Sequence, residues 1–264
     1  MSRPIITLIS DMGLRDHYVA SVKGALLSEL PEAQIIDVSH TIAPFDIFQA
    51  AFVLKNVYRE FPEGTVHVVG VDPERYISPT DPSQNIDHIA VEHNGYFFIM
   101  ADNGLLSLVF EEKPSFIVSI DKFQGVEHSF PLKSVFIRAA ALLGKGEPIT
   151  ALGPEKDKIR QAAIYRPKTD SHTLLGVVLY IDSYGNLITN ISKEEFEQAG
   201  KGRDFRIMMR DEDYDITSIS ERYSDAQRGD SLAIFTTGGL LQISINKGVE
   251  GSGGGAARLF GMQV

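Results

Sequence analysis

The sequence predicts an α/β N-terminal domain built on a mainly parallel sheet, followed by an all-β, barrel-like C-terminal domain. Three observations carry this reading. Over the first 145 residues short β-like runs alternate with stretches of helical period, the order that covers a parallel sheet on both faces. Residues 145–171 lose that period, interrupted by Gly146, Pro148, Gly153, Pro154 and Pro167, as a connection between domains does. Beyond them come many short strand-like runs separated by turn residues, the pattern of a small barrel or sandwich. The expected domains are therefore residues 1–160 and 172–264.

In the first half, Pro4–Ser10 is a compact apolar strand, and Tyr18–Leu30 carries apolar residues at helical spacing until Pro31. Gln34–Val38 reads as a strand and Asp46–Phe61 as an amphipathic helix with Asp46 at its N-cap, where a carboxylate accepts from free backbone N–H groups. Thr65–Val71 is β-branched and nearly all apolar, as a strand buried on both faces must be. His88–Glu92 and Tyr96–Ala101 flank Asn94-Gly95, a hairpin signal because both residues tolerate positive φ. Phe116–Ile120 is a further strand, and Ser134–Leu143 a helix ended by Gly144.

In the second half, strands are expected at Leu174–Ile181, Leu187–Ile191, Asp204–Met209, Tyr214–Ile219, Ser231–Phe235, Leu240–Ile245 and Ala257–Phe260, with one helix at Lys193–Ala199. The glycine-rich Gly251–Gly255 patch reads as a flexible loop.

The composition excludes several chemistries. Hydrophobic residues are 43% and charged residues 23%, ordinary for a globular protein. With no cysteine, a disulfide framework, a thiol nucleophile and a thiolate zinc site are all ruled out. The formal charge of −10 comes without a basic stripe, so nucleic acid is not the expected partner. No targeting segment and no membrane span is read from the chain, and a cytoplasmic location is expected. The seven histidines show no ligand spacing, and no metal is predicted. A small molecule is the expected partner. Neither G-x-G-x-x-G nor a P-loop occurs, which argues against NAD and nucleoside triphosphates.

Ligands of open parallel sheets bind outside the carboxyl ends of the strands. Asp11 in ITLISDMG and Asp72 in VHVVGVDPER stand at such ends. Two readings are open for each: a contact to sugar hydroxyls or a cation, or a cap on the following turn. Arg75, three residues after Asp72, is either a guanidinium that orients that carboxylate or a solvated charge. In YIDSYGNLITNI, Asp182, Asn186 and Asn190 surround an aromatic–glycine turn. They read as turn formers, or as groups for a base edge or an ammonium.

Taken in order, ITLISDMGLRDHYVASVKGAL, HTIAPFDIFQAAFVL, FPEGTVHVVGVDP, ADNGLL, VVLYIDSYGNLITNI and LLQISINKG resemble the motifs of the S-adenosylmethionine hydroxide adenosyltransferases. That family also includes enzymes that attack S-adenosylmethionine with halide. The resemblance runs from residue 5 to about residue 248. It implies a homotrimer with the substrate between one subunit's N-domain and its neighbour's C-domain, and S-adenosylmethionine as substrate without a further cofactor. By position, Asp11 would hold the ribose hydroxyls and Phe45 pack near the sugar; Asp182 would face the methionine ammonium. Tyr184 and Asn186 would line the nucleoside side, and Thr237 takes the place of a serine at the methionine carboxylate.

The departures are specific. Family hydrolases read VDPGVG-x-E-R where this chain has VDPER, four residues shorter. Their Asp–Arg–His set, which positions hydroxide, draws its histidine from a motif like TFHGRDVF. Here SFPLKSVF places Pro131 at that point, with His128 three residues earlier as a substitute imidazole. Leu132 stands where halogenating members carry a small or hydroxylated residue, which argues against halogenation. The expected activity is hydrolysis of S-adenosylmethionine to adenosine and methionine, with Asp72 and Arg75 as the catalytic pair. The alternatives are an adenosyl- or nucleoside-binding protein with lost catalysis, or an enzyme using another nucleophile or another 5′-substituted nucleoside.

Overall fold

The structure, a computed structural model, describes residues 3–110, 112–120, 123, 129–209, 212–248, 255–259 and 261. The chain divides into two compact units, Met1–Ala163 and Ile164–Val264.

In the first unit the elements run β1 (Ile5–Ser10), α1 (Tyr18–Glu29), β2 (Gln34–Ser39), α2 (Ile47–Val57), β3 (Val66–Gly70), β4 (His88–His93), β5 (Tyr96–Ala101), α3 (Leu105–Val109), β6 (Phe116–Ser119) and α4 (Ile137–Gly144). They form a six-stranded sheet in the order β2-β1-β3-β5-β4-β6. Strands β2, β1, β3 and β5 are mutually parallel, whereas β4 pairs antiparallel with both neighbours. The apolar strands are explained by burial on both faces. Ile6, Leu8, Val66 and Val68 face the layer of α1 and α4, packed on Val22, Leu26, Phe136 and Ala140. Ile9, Val69 and Val71 face the opposite layer, with Ala50, Leu54, Leu105 and Leu106 from α2 and α3. Neighbouring residues of a strand point to opposite faces, so both sets must be apolar.

The connectivity creates a crevice. From β1 the chain passes through α1 to β2 on one side, then through α2 to β3 on the other side of β1. The connections thus leave β1 and β3 in opposite directions. Such a switch point opens a gap beyond the carboxyl ends of the two strands.

Several local expectations hold. Asp46 accepts from the N–H groups of Phe48 and Gln49 at 3.0 Å and caps α2. Asn94 and Gly95 take φ of 51° and 80° in the β4–β5 turn. The Ser134–Leu143 helix is instead a π-helical turn over Leu132–Phe136 that runs into α4. Helix α3, too short to show a period, was not expected.

The second unit holds β7 (Lys168–Thr169), β8 (Leu174–Leu175), β9 (Val178–Ile181), β10 (Leu187–Ser192), α5 (Lys193–Gly200), β11 (Ser231–Phe235), β12 (Leu240–Ile245) and α6 (Ala256–Leu259). Its main sheet is antiparallel throughout, ordered β11-β12-β10-β9. Ser192 and Glu195 form a reciprocal capping box at the start of α5.

Three expectations are corrected here. The run 174–181 is not one strand, because β8 pairs with β7 and only β9 joins the main sheet. A Cβ at Gly176 would lie 2.7 Å from Ile191, and the chain breaks at this close approach. Segments 204–209 and 214–219 contribute isolated bridges, Ile207–Ile216 and Ile219–Ala233, rather than strands. Ala257–Leu259 is helical, since buried Ala256 and Ala257 pack as small residues on the sheet core.

Candidate active site

The crevice between β1 and β3 is lined by a turn that a histidine holds together. Asp11 follows β1 directly, and Gly13 (φ 67°) donates its N–H to His40 O at 2.6 Å. His40 Nδ1 meets Ser10 Oγ at 2.7 Å, and its Nε2 approaches Asp37 Oδ1 to 3.1 Å. Burial alone would raise the Asp37 carboxyl, but the Lys23 ammonium and His40 hold it below its ordinary value. A serine, an imidazole and a carboxylate in line suggest acyl transfer. Ser10, however, is wholly buried, out of reach of any substrate. The chain of contacts supports the Asp11 turn.

Asp11 Oδ2 accepts the backbone N–H of Phe45 at 2.9 Å. Phe45 has φ of 65° and is 71% exposed. A non-glycine residue in this region costs about 1–3 kcal/mol and persists only where its surroundings hold it. Asp11 on one side and the Asp46 cap on the other do so. The result is an open aromatic face beside a carboxylate, suited to a sugar or a base.

Asp72 stands two residues beyond β3, also with positive φ, at 45°. Burial raises its pKa, and the charges of Asp11 and Glu74 raise it further. The two sequence-predicted aspartates are thus electrostatic neighbours. Asn103, at the end of β5, donates Nδ2–H to the carbonyls of Val71 and Asp72 at 3.2 and 3.1 Å. Beneath the turn, His88 Nε2 lies 2.9 Å from Pro73 O; a carbonyl only accepts, so this nitrogen carries the proton.

Arg75 does not serve Asp72 in the way the spacing proposed. Its Nη2 lies 3.6 Å from Asp87 Oδ1. Asp87 also pairs with Lys156 at 2.8 Å, and Lys156 reaches Asp102 at 3.4 Å. Burial would raise Asp87, yet Lys156 and Arg75 hold it low. Asp102, more deeply buried, is raised by that burial despite the Arg160 N–H and Lys156. Arg75 therefore anchors the 73–87 segment, which a Tyr76–Ile86 bridge closes into a loop with exposed Tyr76 and Ile77.

Pro131 is buried at the entry to the π-helical turn. Next to it, Leu132 fills the space beside Gly70, where a Cβ would fall 2.5 Å from Leu132 Cδ2. The end of β3 is therefore backed by hydrocarbon. His128 lies outside the described residues. Among the described residues no three His, Asp or Glu side chains gather into a metal site.

In the second unit Asp182, Tyr184 and Asn186 form one turn between β9 and β10. Asp182 Oδ1 accepts the N–H groups of Tyr184 and Asn186 at 2.8 and 3.0 Å, and Oδ2 accepts Asn186 Nδ2–H at 2.8 Å. The turn-forming role of Asp182 is therefore real. Tyr184 projects outward, 64% exposed, while Asn186 is buried. Burial, and then the Asp182 charge, raises the Tyr180 hydroxyl pKa. Gly185 (φ 75°) is approached by the glycine-rich segment: its carbonyl accepts from Ala257 N–H at 2.9 Å, and a Cβ there would stand 3.0 Å from Gly255 Cα. The described end of that segment is thus packed. Asn190 joins the strand break by accepting Val177 N–H at 2.8 Å. Thr237 is exposed in the β11–β12 turn. Register places this turn at the end of β12 away from the Leu187–Ile243 pair, and so at the opposite end of the sheet from Asp182.

Sequence reasoning missed His40, His88 and Asn103 as site-building residues. His40 opens the motif HTIAPFDIFQAAFVL and Asn103 is a polar residue two positions beyond a strand in ADNGLL, whereas His88 carried no signal.

Comparison with known proteins follows the same division of the chain. Residues 6–153 match the SAM hydroxide adenosyltransferase N-terminal domain and residues 176–264 the C-terminal domain of the same name. A fluorinase from Actinoplanes sp. (strain N902-109) is 29% identical across 92% of this chain and 91% of its own. An (R)-S-adenosyl-L-methionine hydrolase from Methanocaldococcus jannaschii is 33% identical across 72% of this chain and 68% of its own. The crystal structure of an uncharacterized conserved protein from Thermotoga maritima superposes with a TM-score of 0.82 at 25% identity, covering 98% of this chain and 96% of that one.

Proposed function

The chain belongs to the SAM hydroxide adenosyltransferase family, and on that premise we propose that it hydrolyses S-adenosylmethionine to adenosine and methionine. The observation that carries the reading is the neighbouring pair Asp11 and Asp72 at the β1/β3 switch point, with exposed Phe45 held beside them by its backbone N–H bond to Asp11. Asp11 takes the ribose hydroxyls while Phe45 covers the sugar. Water attacks C5′, the carbon–sulfur bond breaks, and its electron pair leaves with neutral methionine sulfur. No acid is needed for the leaving group. Asp72 accepts the proton that water loses, and its raised pKa makes it a stronger base than an ordinary carboxylate. The protein's main task is to hold oxygen, carbon and sulfur in line.

Arg75 contributes by fixing the loop behind Asp72 through Asp87. The residues of the turn between β9 and β10 take the roles the resemblance implies: Asp182 meets the ammonium, and Tyr184 and Asn186 the nucleoside. A homotrimer goes with this reading, and a monomeric mass on sedimentation would contradict it. Leu132, packed on Gly70, supports hydrolysis over halogenation.

One observation favours a second reading. Pro131 occupies the place of the family histidine, which fits a protein that binds an adenosyl compound without turning it over. Incubation with S-adenosylmethionine, with adenosine and methionine followed by chromatography, separates the two. Release above the uncatalysed rate, abolished by Asp72→Asn, is the expected result. Adenosine binding without release would favour the second reading.

A further inference from the structure

We infer that Asn103 is a positioning residue for Asp72, holding the turn after β3 in the backbone conformation that aims this carboxylate into the crevice. The inference rests on the reading of Asp72 as the base. Two observations meet at this point. Asp72 has φ of 45°, a left-handed conformation that costs a non-glycine residue free energy and that an external hold stabilises. Asn103 supplies it, with one amide NH2 donating to both carbonyls that flank the strained residue, Val71 O at 3.2 Å and Asp72 O at 3.1 Å.

The fork is itself anchored. Asn103 Oδ1 accepts Leu105 N–H at 3.2 Å, at the start of α3. Leu105 and Leu106 are 1% exposed and belong to the core shared with α2. The clamp therefore joins a core element to the reactive turn. Its chemistry is selective, because only an amide presents donors to two carbonyls and an acceptor to an N–H at once. The charged groups facing Asp72 are Asp11 from the end of β1 and Glu74 from its own loop, while Arg75 is turned to Asp87.

A helix-capping role alone would need only Oδ1, and Asn103→Asp preserves that acceptor. Positioning needs the donors, which Asn103→Asp removes while adding a negative charge beside Asp72. For positioning, Asn103→Asp lowers kcat about 10- to 100-fold with KM little changed, and moves the acid limb of the kcat profile to higher pH. Asn103→Ala lowers kcat similarly without that upward move. Wild-type kcat and an unmoved profile in a folded Asn103→Asp protein would overturn the inference. If the wild type releases no adenosine, hydrolysis itself has failed. The clamp is then read from the Asp72 carboxyl by 13C NMR: its titration moves up in Asn103→Asp if the contact exists, and an unchanged titration overturns it.

Discussion

Phe45 donates its backbone N–H to Asp11 Oδ2 at 2.9 Å from a left-handed conformation, and its ring is left open to solvent. A large apolar side chain has nothing to gain from either circumstance in the folded chain. Both make sense when a flat, partly polar ligand lies against the ring and reaches the carboxylate. Phe45→Gly tests this. Relief of the strained φ offsets the entropy that glycine adds to the unfolded chain, each about 1 kcal/mol. Stability by denaturant unfolding is expected to stay within about 0.5 kcal/mol of wild type, while KM for S-adenosylmethionine rises about tenfold or more.

The Asp11 charge is one cause of the raised Asp72 pKa, after burial. Removing it with Asp11→Asn is expected to lower the Asp72 pKa, so the acid limb of the residual kcat profile moves to lower pH. Because a raised carboxyl pKa means the ionised form is disfavoured in the folded protein, Asp72 destabilises the fold once pH exceeds its folded pKa. Asp72→Asn is therefore expected to raise the melting temperature at pH 7 while abolishing adenosine release. A fall in melting temperature would count against the electrostatic account.

His67 lies fully buried in β3, with Nδ1 2.8 Å from Thr7 Oγ1 and its ring stacked on Phe98. Burial pushes its pKa down to about 4, against a weaker opposite pull from the Tyr58 backbone. The unfolded chain takes up this proton near the ordinary value of 6.5 and the folded chain does not. Stability is thus lost as pH falls from about 6.5 to about 4, by about 3 kcal/mol from this group. Denaturant unfolding at pH 7 and pH 4.5 is expected to show this loss in the wild type and to lack it in His67→Phe.

Gly70 and Leu132 form a size-matched pair, since a Cβ on Gly70 would fall 2.5 Å from Leu132 Cδ2. Gly70→Ala is expected to cost about 1–3 kcal/mol of stability through overpacking. Adding Leu132→Ala to Gly70→Ala should then cost less than Leu132→Ala does in the wild type. Strict additivity in the double-mutant cycle would show that the two sites do not share this space.

The first unit's strands were legible because double-sided burial leaves an unambiguous mark: Val66, Val68, Val69 and Val71 must all be apolar. The caps at Asp46 and the Asn94-Gly95 turn were equally readable, since each is a bargain among residues a few positions apart. Arg75 was misjudged for the opposite reason. Nearness in sequence to Asp72 gave it one carboxylate, whereas the loop fold delivers another, Asp87, whose partner Lys156 lies 69 residues further on. The break at Gly176 and the helix at Ala256 likewise depend on what packs against them.

What the sequence determined by itself, then, was the order of the first unit's elements apart from α3, the aspartates at the strand ends and the turn around Asp182. These follow from local propensity and from a burial pattern that repeats along the chain. The tertiary structure alone decided the partners: Asp11 with Phe45, Asn103 with the Asp72 turn, His40 with Ser10 and Arg75 with Asp87. Partner choice depends on the sheet order β2-β1-β3-β5-β4-β6, which brings strand ends together across long sequence separations. No local pattern encodes that order, because it is set by which layers of the whole unit bury their apolar faces.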